Sequence, residues 1–214
     1  MNEKNRNNLL KGYNMMLYFA GTMIMFDPRH ECIFDFWSEG ILKSLPVNST
    51  NPNFIRAASL LRESVKEADI YSRMKTDYLR LFDESSQAIA IPRESRYFPV
   101  STFPGEREME TVESFYNSYG WKSKFSGMIP DDHIGVELLF LTILIEKLLE
   151  FDDAACDRAM KAEISRFIRK HMLSWVGGWN DVVQEKSLTR SYKGIAWLIV
   201  SCCEDIVSIM EEKA

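Results

Sequence analysis

The sequence lacks the features that mark several large classes of protein. Its 214 residues contain no apolar run of the ~20 residues needed to cross a bilayer, so no membrane span is expected. The GxxxxGKS/T and GxGxxG patterns that cradle phosphates are absent, and so is the Gly-x-Ser-x-Gly elbow of many hydrolases. With 26 Lys and Arg against 31 Asp and Glu, the net charge of -5 provides no basic surface for nucleic acid.

Cysteine is scarce, and the four that are present follow no metal-binding pattern. Cys32, Cys156, Cys202 and Cys203 form no CxxC pair and show no zinc-type spacing. We interpret them as small core residues in a reducing compartment, which favours a cytoplasmic location. The uncharged stretch 12–26 superficially resembles a secretory signal, but it lacks a small-residue cleavage site and leads into a charged segment.

The composition is that of a soluble globular protein, with 46% hydrophobic and 27% charged residues. The length suits one core, so we expect residues 1–214 to form one domain. Apolar residues recur every three or four positions along most of the chain, which is the spacing of amphipathic helices. The predicted fold is therefore an all-α, single-domain helical bundle.

The positions of individual helices follow from this spacing and from the Gly and Pro residues that interrupt it. Helices are predicted over 10–24, 31–43, 154–174 and 189–210, and another ends before Gly120, a C-terminal cap. Residues 53–82 fit either one long helix or two helices with a bend. Gly177-Gly178 are expected to interrupt the helical pattern before Trp179.

The stretch from Asp83 to Pro104 has no helical periodicity. It contains three of the seven prolines and a short extended segment at 88–91. Irregular connections of this length are unusual in a compact domain, and they tend to carry function or to move. We interpret residues 83–104 as a functional loop or a hinge.

A group of acidic and imidazole side chains precedes the most apolar predicted helix, within residues 128–140. Pro130 leads into Asp131 and Asp132, whose negative charges suit a helix N-terminus. His133 and Glu137 are four residues apart, so we expect them on one face of the helix. The sequence thus predicts an acid-imidazole-acid cluster at the start of a buried helix.

Metal chemistry is one interpretation of this cluster. His133 and Glu137 could supply two ligands from one helix turn, with Asp131, Asp132, His171 or His30 as a third. Metal sites need three or four convergent ligands, however, and no nucleophile accompanies His133. A helix start whose histidine bonds an aspartate explains the same residues without a metal. A metal-dependent hydrolase using His133 and Glu137 is kept as an alternative.

The motif also carries a resemblance to a known family. Pro130–Leu138 resembles the signature of the cytoplasmic redox-enzyme maturation chaperones, which serve trimethylamine N-oxide, dimethyl sulfoxide and nitrate reductases. Residues 78–82 resemble that family's aromatic-x-x-Leu-Phe helix end, and 91–97 resemble its Pro-x-x-Ser-x-Tyr loop. Two more motifs also match, Phe115-Tyr116-x-x-Tyr119-Gly120 and Phe167-x-x-x-His171-x-x-x-Trp175, so the resemblance covers nearly the whole chain. The chain departs at Arg93, where some members have an aromatic residue.

The resemblance implies an all-helical chaperone with no catalytic residues, no cofactor and no metal. Such proteins bind the twin-arginine signal peptide, and often the mature part, of a molybdenum-cofactor oxidoreductase precursor before export. Carried over by motif, the peptide site comprises Tyr78, Leu81, Phe82, Pro92, Ser95, Tyr97, Pro130, Asp131, Asp132 and His133. The expected structural support comes from Glu137, His171 and Trp175. The carboxylates would pair with the arginines, and the aromatic helix end would hold the apolar part.

Two further questions concern the partners of the chain. A helical scaffold that binds a folded protein surface is a second alternative to peptide binding. The loop at 83–104 would allow either a monomer or a dimer formed by exchange of helices between chains.

Overall fold

The computed structural model describes residues 2–28, 36–37, 41–83, 87–98 and 111–212. Over these ranges the bounds of eight α-helices are defined, and no β-strand is present, which confirms the predicted all-α fold. The helices are α1 (Glu3–Met25), α2 (Pro52–Ser64), α3 (Ile70–Leu81), α4 (Val112–Ser118), α5 (Ile134–Glu150), α6 (Ala154–Phe167), α7 (Val176–Lys186) and α8 (Arg190–Glu211). Ile41–Lys43 and Glu94–Arg96 form 3-10 turns, and Ile168–Met172 forms a π-helical turn after α6.

The core is organised around α8. This helix packs against α1, α2, α6 and α7, whereas α5 packs against α1 and α6. Most side chains on α8 between Ser191 and Val207 are buried. The largest fully buried side chains include Trp179, Tyr192, Phe115, Phe140 and Phe167, so aromatic packing fills the space between the helices.

Side-chain caps explain where several helices begin. Asn51 accepts a hydrogen bond from the amide of Asn53 at the start of α2, and Asp153 accepts two such bonds at the start of α6. Thr189 accepts one from Tyr192 at the start of α8. Each cap satisfies amide groups that the first helical turn leaves without partners.

A close approach of α1 and α5 depends on the absence of a side chain at Gly135. A Cβ atom there would overlap the side chain of Met25 and would lie 2.9 Å from the carbonyl oxygen of Gly21. The carbonyl belongs to the backbone of α1, so it moves only if the helix moves. Gly135 therefore fixes how closely the two helices pack beside the predicted site.

We expect Gly135→Ala to lower the free energy of unfolding by about 1 to 3 kcal/mol, because the added methyl group overpacks the interface between α1 and α5. Urea denaturation measures the change. Gly177→Ala is the matched control, since no atom lies within 4 Å of a Cβ atom at Gly177. A loss for Gly135→Ala no larger than that of the control would contradict the role assigned to Gly135.

The structure refines several predicted boundaries. The pattern at 53–82 forms two helices, α2 and α3, separated at residues 65–69, where Asp69 has a φ of 51°. The predicted helix 154–174 is α-helical to Phe167 and continues as a π-helical turn. The expected break at Gly177-Gly178 is wrong, because both glycines lie in the first turn of α7 and the interruption falls at residues 173–175.

The cysteine prediction is confirmed for Cys202 and Cys203, which are buried on α8, and it is wrong for Cys156, which is exposed on α6. Cys202 and Cys203 lie on the face of α8 that meets the core, whereas Cys156 lies in the first turn of α6. Cys32 and most of the predicted helix 31–43 lie outside the described residues, and so does His30.

Candidate functional site

The turn before α5 is joined to the loop at 92–97 by an antiparallel backbone pairing. The amide of Glu94 donates to the carbonyl oxygen of Asp132 at 2.9 Å, and the amide of Ile134 donates to that of Pro92 at 2.9 Å. Arg93 and His133 face one another between these two bonds. The structure therefore brings together the motifs at 91–97 and 130–133, whose residues Arg93 and Asp132 are 39 positions apart in the sequence.

Asp132 holds a guanidinium group in this arrangement. Its Oδ1 accepts a hydrogen bond from Arg93 Nε at 3.0 Å, and its Oδ2 accepts one from the amide of Ser95 at 3.2 Å. Partial burial acts to raise the pKa of Asp132, but the hydrogen bonds from Ser95 and Arg93 and the charge of Arg93 outweigh it, so the pKa is lowered. Asp132 is thus an ionised carboxylate that already binds an arginine of its own chain.

His133 caps α5 and does not belong to its helical face. Its Nδ1 accepts a hydrogen bond from the amide of Gly135 at 3.0 Å, which requires that this nitrogen carry no proton. Burial lowers the pKa of His133 to about 4, with the charge of Arg93 acting in the same direction and that of Asp132 opposing it. His133 is therefore a neutral structural cap at neutral pH, and Nε2 carries the proton.

A second group of buried polar side chains lies beneath the turn. His171 Nδ1 lies 3.1 Å from Glu94 Oε1, so the π-helical turn is tied to the loop. Glu137 is fully buried on α5, and neither of its carboxyl oxygens accepts a well-formed hydrogen bond among the described residues, although the Trp175 indole lies close to them. Desolvation raises the pKa of Glu137 well above its usual range, the charges of Glu94 and Asp132 add to this, and Trp175 partly opposes it. Glu137 consequently keeps its proton to a higher pH than an exposed glutamate does.

Two tyrosines, Tyr116 and Tyr97, hold the turn and the loop that form the site. Tyr116 of α4 donates its hydroxyl to the carbonyl oxygen of Asp131 at 3.1 Å, and it is almost fully buried. Tyr97 stacks on Trp175 with ring centroids 5.5 Å apart, and burial raises the pKa of Tyr97 to about 12. Both hydroxyls therefore keep their protons at neutral pH, and both rings fix the backbone segments that carry the site.

The aromatic helix end lies farther inside than a peptide site requires. Leu81 is fully buried, Phe82 is 4% exposed, and the Phe82 ring contacts Trp179 and Tyr192 at centroid distances of 6.0 and 5.1 Å. Tyr78 is half-buried and donates its hydroxyl to the carbonyl oxygen of Met25 at 3.1 Å. These residues form core packing here, so a peptide would reach Leu81 and Phe82 only if the end of α3 moved.

An open apolar cleft lies elsewhere between α1, α5 and the segment before the turn. It has a volume of about 470 Å³ and is lined mainly by apolar side chains, among them Tyr18, Met25, Phe26, Phe125 and Leu139. Methionine and aromatic side chains adapt to irregular apolar partners. The segment that contributes Phe125 to this cleft continues along the chain to the turn at 130–133. The cleft and the turn are therefore formed in part by the same connecting segment.

Sequence reasoning missed three contributors to the site, namely Glu94, Tyr116 and the ion-pairing role of Arg93. The first two lay within recognised motifs, at 91–97 and 115–120, but nothing in their spacing placed them beside Asp132. The structure brings together six of the predicted site residues, namely Pro92, Ser95, Pro130, Asp131, Asp132 and His133. Tyr97 follows them in the loop, and its ring stacks on Trp175.

The described ranges contain no group of three His, Cys, Asp or Glu side chains placed to hold a metal ion. His133 presents Nδ1 to the backbone of α5, and Glu137 is fully buried in the core, so the two residues do not converge as a ligand pair on an open cleft.

Among the helices that the structure describes, none has both the length and the hydropathy to cross a membrane.

Comparison with known proteins identifies relatives across most of the chain. The family model described as "Nitrate reductase delta subunit" matches residues 49–181. The protein named "Chaperone protein TorD" of Aliivibrio salmonicida is 23% identical over 145 residues, which is 67% of this chain and 67% of that protein. Its namesakes from Aliivibrio fischeri and Vibrio parahaemolyticus are 23% and 22% identical over 134 and 136 residues. These matches cover 62% and 63% of those two proteins.

Proposed function

This chain belongs to the nitrate reductase delta subunit family, and we propose that it is a cytoplasmic chaperone that binds the twin-arginine signal peptide of a molybdenum-cofactor oxidoreductase precursor. It is not an enzyme in this proposal, and it supports maturation of the precursor before export. The relatives named as chaperones support the general role. The site residues and the peptide are inferred from the motifs at 91–97 and 130–133.

The observation that carries the proposal is the carboxylate of Asp132. It is partly exposed, it is ionised, and it accepts a hydrogen bond from a guanidinium at 3.0 Å. Guanidinium and carboxylate match in geometry and charge, which makes this side chain suited to one arginine of the signal. Asp131 adds a second carboxylate to the same turn.

The apolar part of the signal needs a surface from which it can displace water. Contact with Tyr78, Leu81 and Phe82 remains part of the proposal, and it requires the end of α3 to open because Leu81 and Phe82 are buried. The open cleft lined by Met25 and Phe125 provides similar chemistry without that movement. Glu137, His171 and Trp175 hold the turn and the loop in place, and His133 caps α5 at the polar end of the proposed peptide site.

Titration of a synthetic twin-arginine signal peptide against the purified protein tests this function. We expect Asp132→Asn to weaken binding by about 1.5 to 3 kcal/mol, because a charge-assisted hydrogen bond is lost. A peptide with lysines in place of both arginines should bind the wild type more weakly, since lysine lacks the planar fork. Isothermal titration calorimetry measures both effects.

The matched control is Asp152→Asn, which removes an exposed carboxylate away from the turn and should leave the affinity unchanged. Unchanged affinity in a folded Asp132→Asn protein would remove Asp132 from the site. Absence of saturable binding by the wild type would favour the scaffold alternative, in which the partner is a folded protein surface. Stoichiometric zinc, iron or manganese in the purified protein would favour the hydrolase.

A further inference from the structure

Arg93 lies at the boundary between two cavities beside the turn. One has a volume of about 420 Å³ and extends toward Ser95 and Val112, and the other, of about 330 Å³, extends along residues 127–131. Arg93, Glu113 and Asp132 line both cavities. The ion pair of Arg93 with Asp132 therefore stands in the wall that the two cavities share.

The Arg93 side chain is the kind of ligand that the proposed function requires. Its Nε donates to Asp132 Oδ1 at 3.0 Å, and both side chains are only partly buried, at 26% and 17% exposure. Because both side chains reach solvent, the pair can open, and the Asp132 carboxylate can accept the same charge-assisted hydrogen bond from another guanidinium. A peptide arginine on Asp132 would make the same contact that Arg93 makes now.

Resting on the function proposed above, we propose that Arg93 occupies the place of a signal-peptide arginine on Asp132 and that the incoming peptide displaces it. The exchange removes the shared wall and joins the two cavities into one groove. The groove retains Asp132 and the exposed carboxylate of Glu113, so its charge complements a pair of arginines. Arg93 thus sets a threshold that a peptide must exceed, because only a ligand that binds Asp132 better than Arg93 does will remain bound.

The proposal makes Arg93 a determinant of specificity that acts against binding. An apolar peptide with no arginine gains nothing by displacing Arg93, whereas a peptide with a guanidinium replaces one ion pair by another. The backbone pairing of Arg93 with His133 does not involve the Arg93 side chain, so a substitution at 93 leaves the hydrogen bonds of Glu94 and Ile134 available.

The test compares Arg93→Gln with the wild type, by titration of the same synthetic twin-arginine peptide against each full-length protein. We expect Arg93→Gln to bind about tenfold more tightly, because the competing internal pair is gone. Arg96→Gln is the matched control, since Arg96 is an exposed arginine in the same loop that lines neither cavity. It should change the affinity by far less. The gain should disappear in the double variant Arg93→Gln with Asp132→Asn.

Arg93→Lys provides a second measurement in case the glutamine perturbs the loop. Lysine keeps the charge but lacks the planar fork that matches a carboxylate. The affinity of Arg93→Lys for the peptide should therefore fall between those of the wild type and Arg93→Gln. Equal or weaker binding by both folded variants, while the wild type binds, would overturn the inference and leave the proposed function standing. If no variant binds, the function itself fails. Binding that appears only in Arg93→Gln supports the inference.

Discussion

Asp77→Ala is expected to lower the free energy of unfolding by about 3 to 5 kcal/mol, which is the range for removing one partner from a buried charged network. The Asp77 carboxylate has no exposed surface. Its Oδ2 accepts hydrogen bonds from the hydroxyls of Ser187 and Thr189 and from the amides of Leu188 and Thr189, at 2.7 to 3.0 Å. Its Oδ1 accepts one from Arg80 at 2.8 Å. Alanine would leave these donors without their acceptor at the connection between α7 and α8.

Urea denaturation followed by far-ultraviolet circular dichroism measures this loss. Asp77→Asn should show a smaller loss, because an amide oxygen can still accept some of the bonds. The control is Asp181→Ala, which removes an exposed aspartate from α7 and should change stability by less than about 0.5 kcal/mol. The network would lose its assigned importance if Asp77→Ala and Asp181→Ala were equally stable.

The second large effect is a pH dependence caused by Glu137. Its carboxyl group is fully buried, and the carboxylates of Glu94 and Asp132 add to desolvation, so its pKa in the folded protein lies well above the usual value of 4.5. In the window between these two values the unfolded chain is ionised and the folded chain remains protonated. Unfolding then releases a proton, and the stability of the wild type falls as the pH rises through this window.

Glu137→Gln keeps the shape of the side chain and cannot ionise. We expect the difference in unfolding free energy between Glu137→Gln and wild type to grow in favour of glutamine as the pH rises. The slope is about 1.4 kcal/mol per pH unit from near pH 4.5 up to the folded pKa of Glu137. Protonation of His133 affects both proteins alike, so its contribution cancels in the difference.

Urea denaturation of both proteins at several pH values between 5 and 8 provides the measurement. Glu150→Gln, which replaces an exposed glutamate on the same helix, should run parallel to the wild type across that range. A difference between Glu137→Gln and wild type that stays constant with pH would show that Glu137 is ionised in the folded protein. The hydroxyl of Tyr116 and the imidazole of His171 would then be the groups to examine as its partners.

The sequence predicts the helical content because apolar spacing is a local property. It identifies the segments that become α1, α5 and α8, and Gly120, the predicted C-terminal cap, has a φ of 61° just after α4. The division of 53–82 into two helices falls at residues 65–69, which contain neither glycine nor proline, and Asp69 there has a left-handed backbone. Local spacing alone therefore leaves that boundary open.

The site is predicted in part for the same physical reason. The motif at 130–133 can be recognised along the chain, and it lies at the start of a buried helix as expected. The residue that caps α5 is His133, however, whereas the sequence suggested that the two aspartates form a charged start of this helix. The pairing of Arg93 with Asp132 spans 39 residues, and the burial of Phe82 depends on Trp179 and Tyr192. Contacts between distant segments are tertiary properties, and a single sequence does not encode them in a local pattern.

The packing of α2 on α8 has a consequence for the order of folding. The two helices meet closely at Gly194, and Asn51 at the start of α2 bonds Asp205, 154 residues further along the chain. Closing such a long loop costs entropy before any contact repays it, so this interface should form late. During synthesis the apolar face of α2 lacks its main partner until α8 leaves the ribosome. A protein proposed to shelter unfinished enzymes is therefore itself exposed to aggregation until its last described helix has been made.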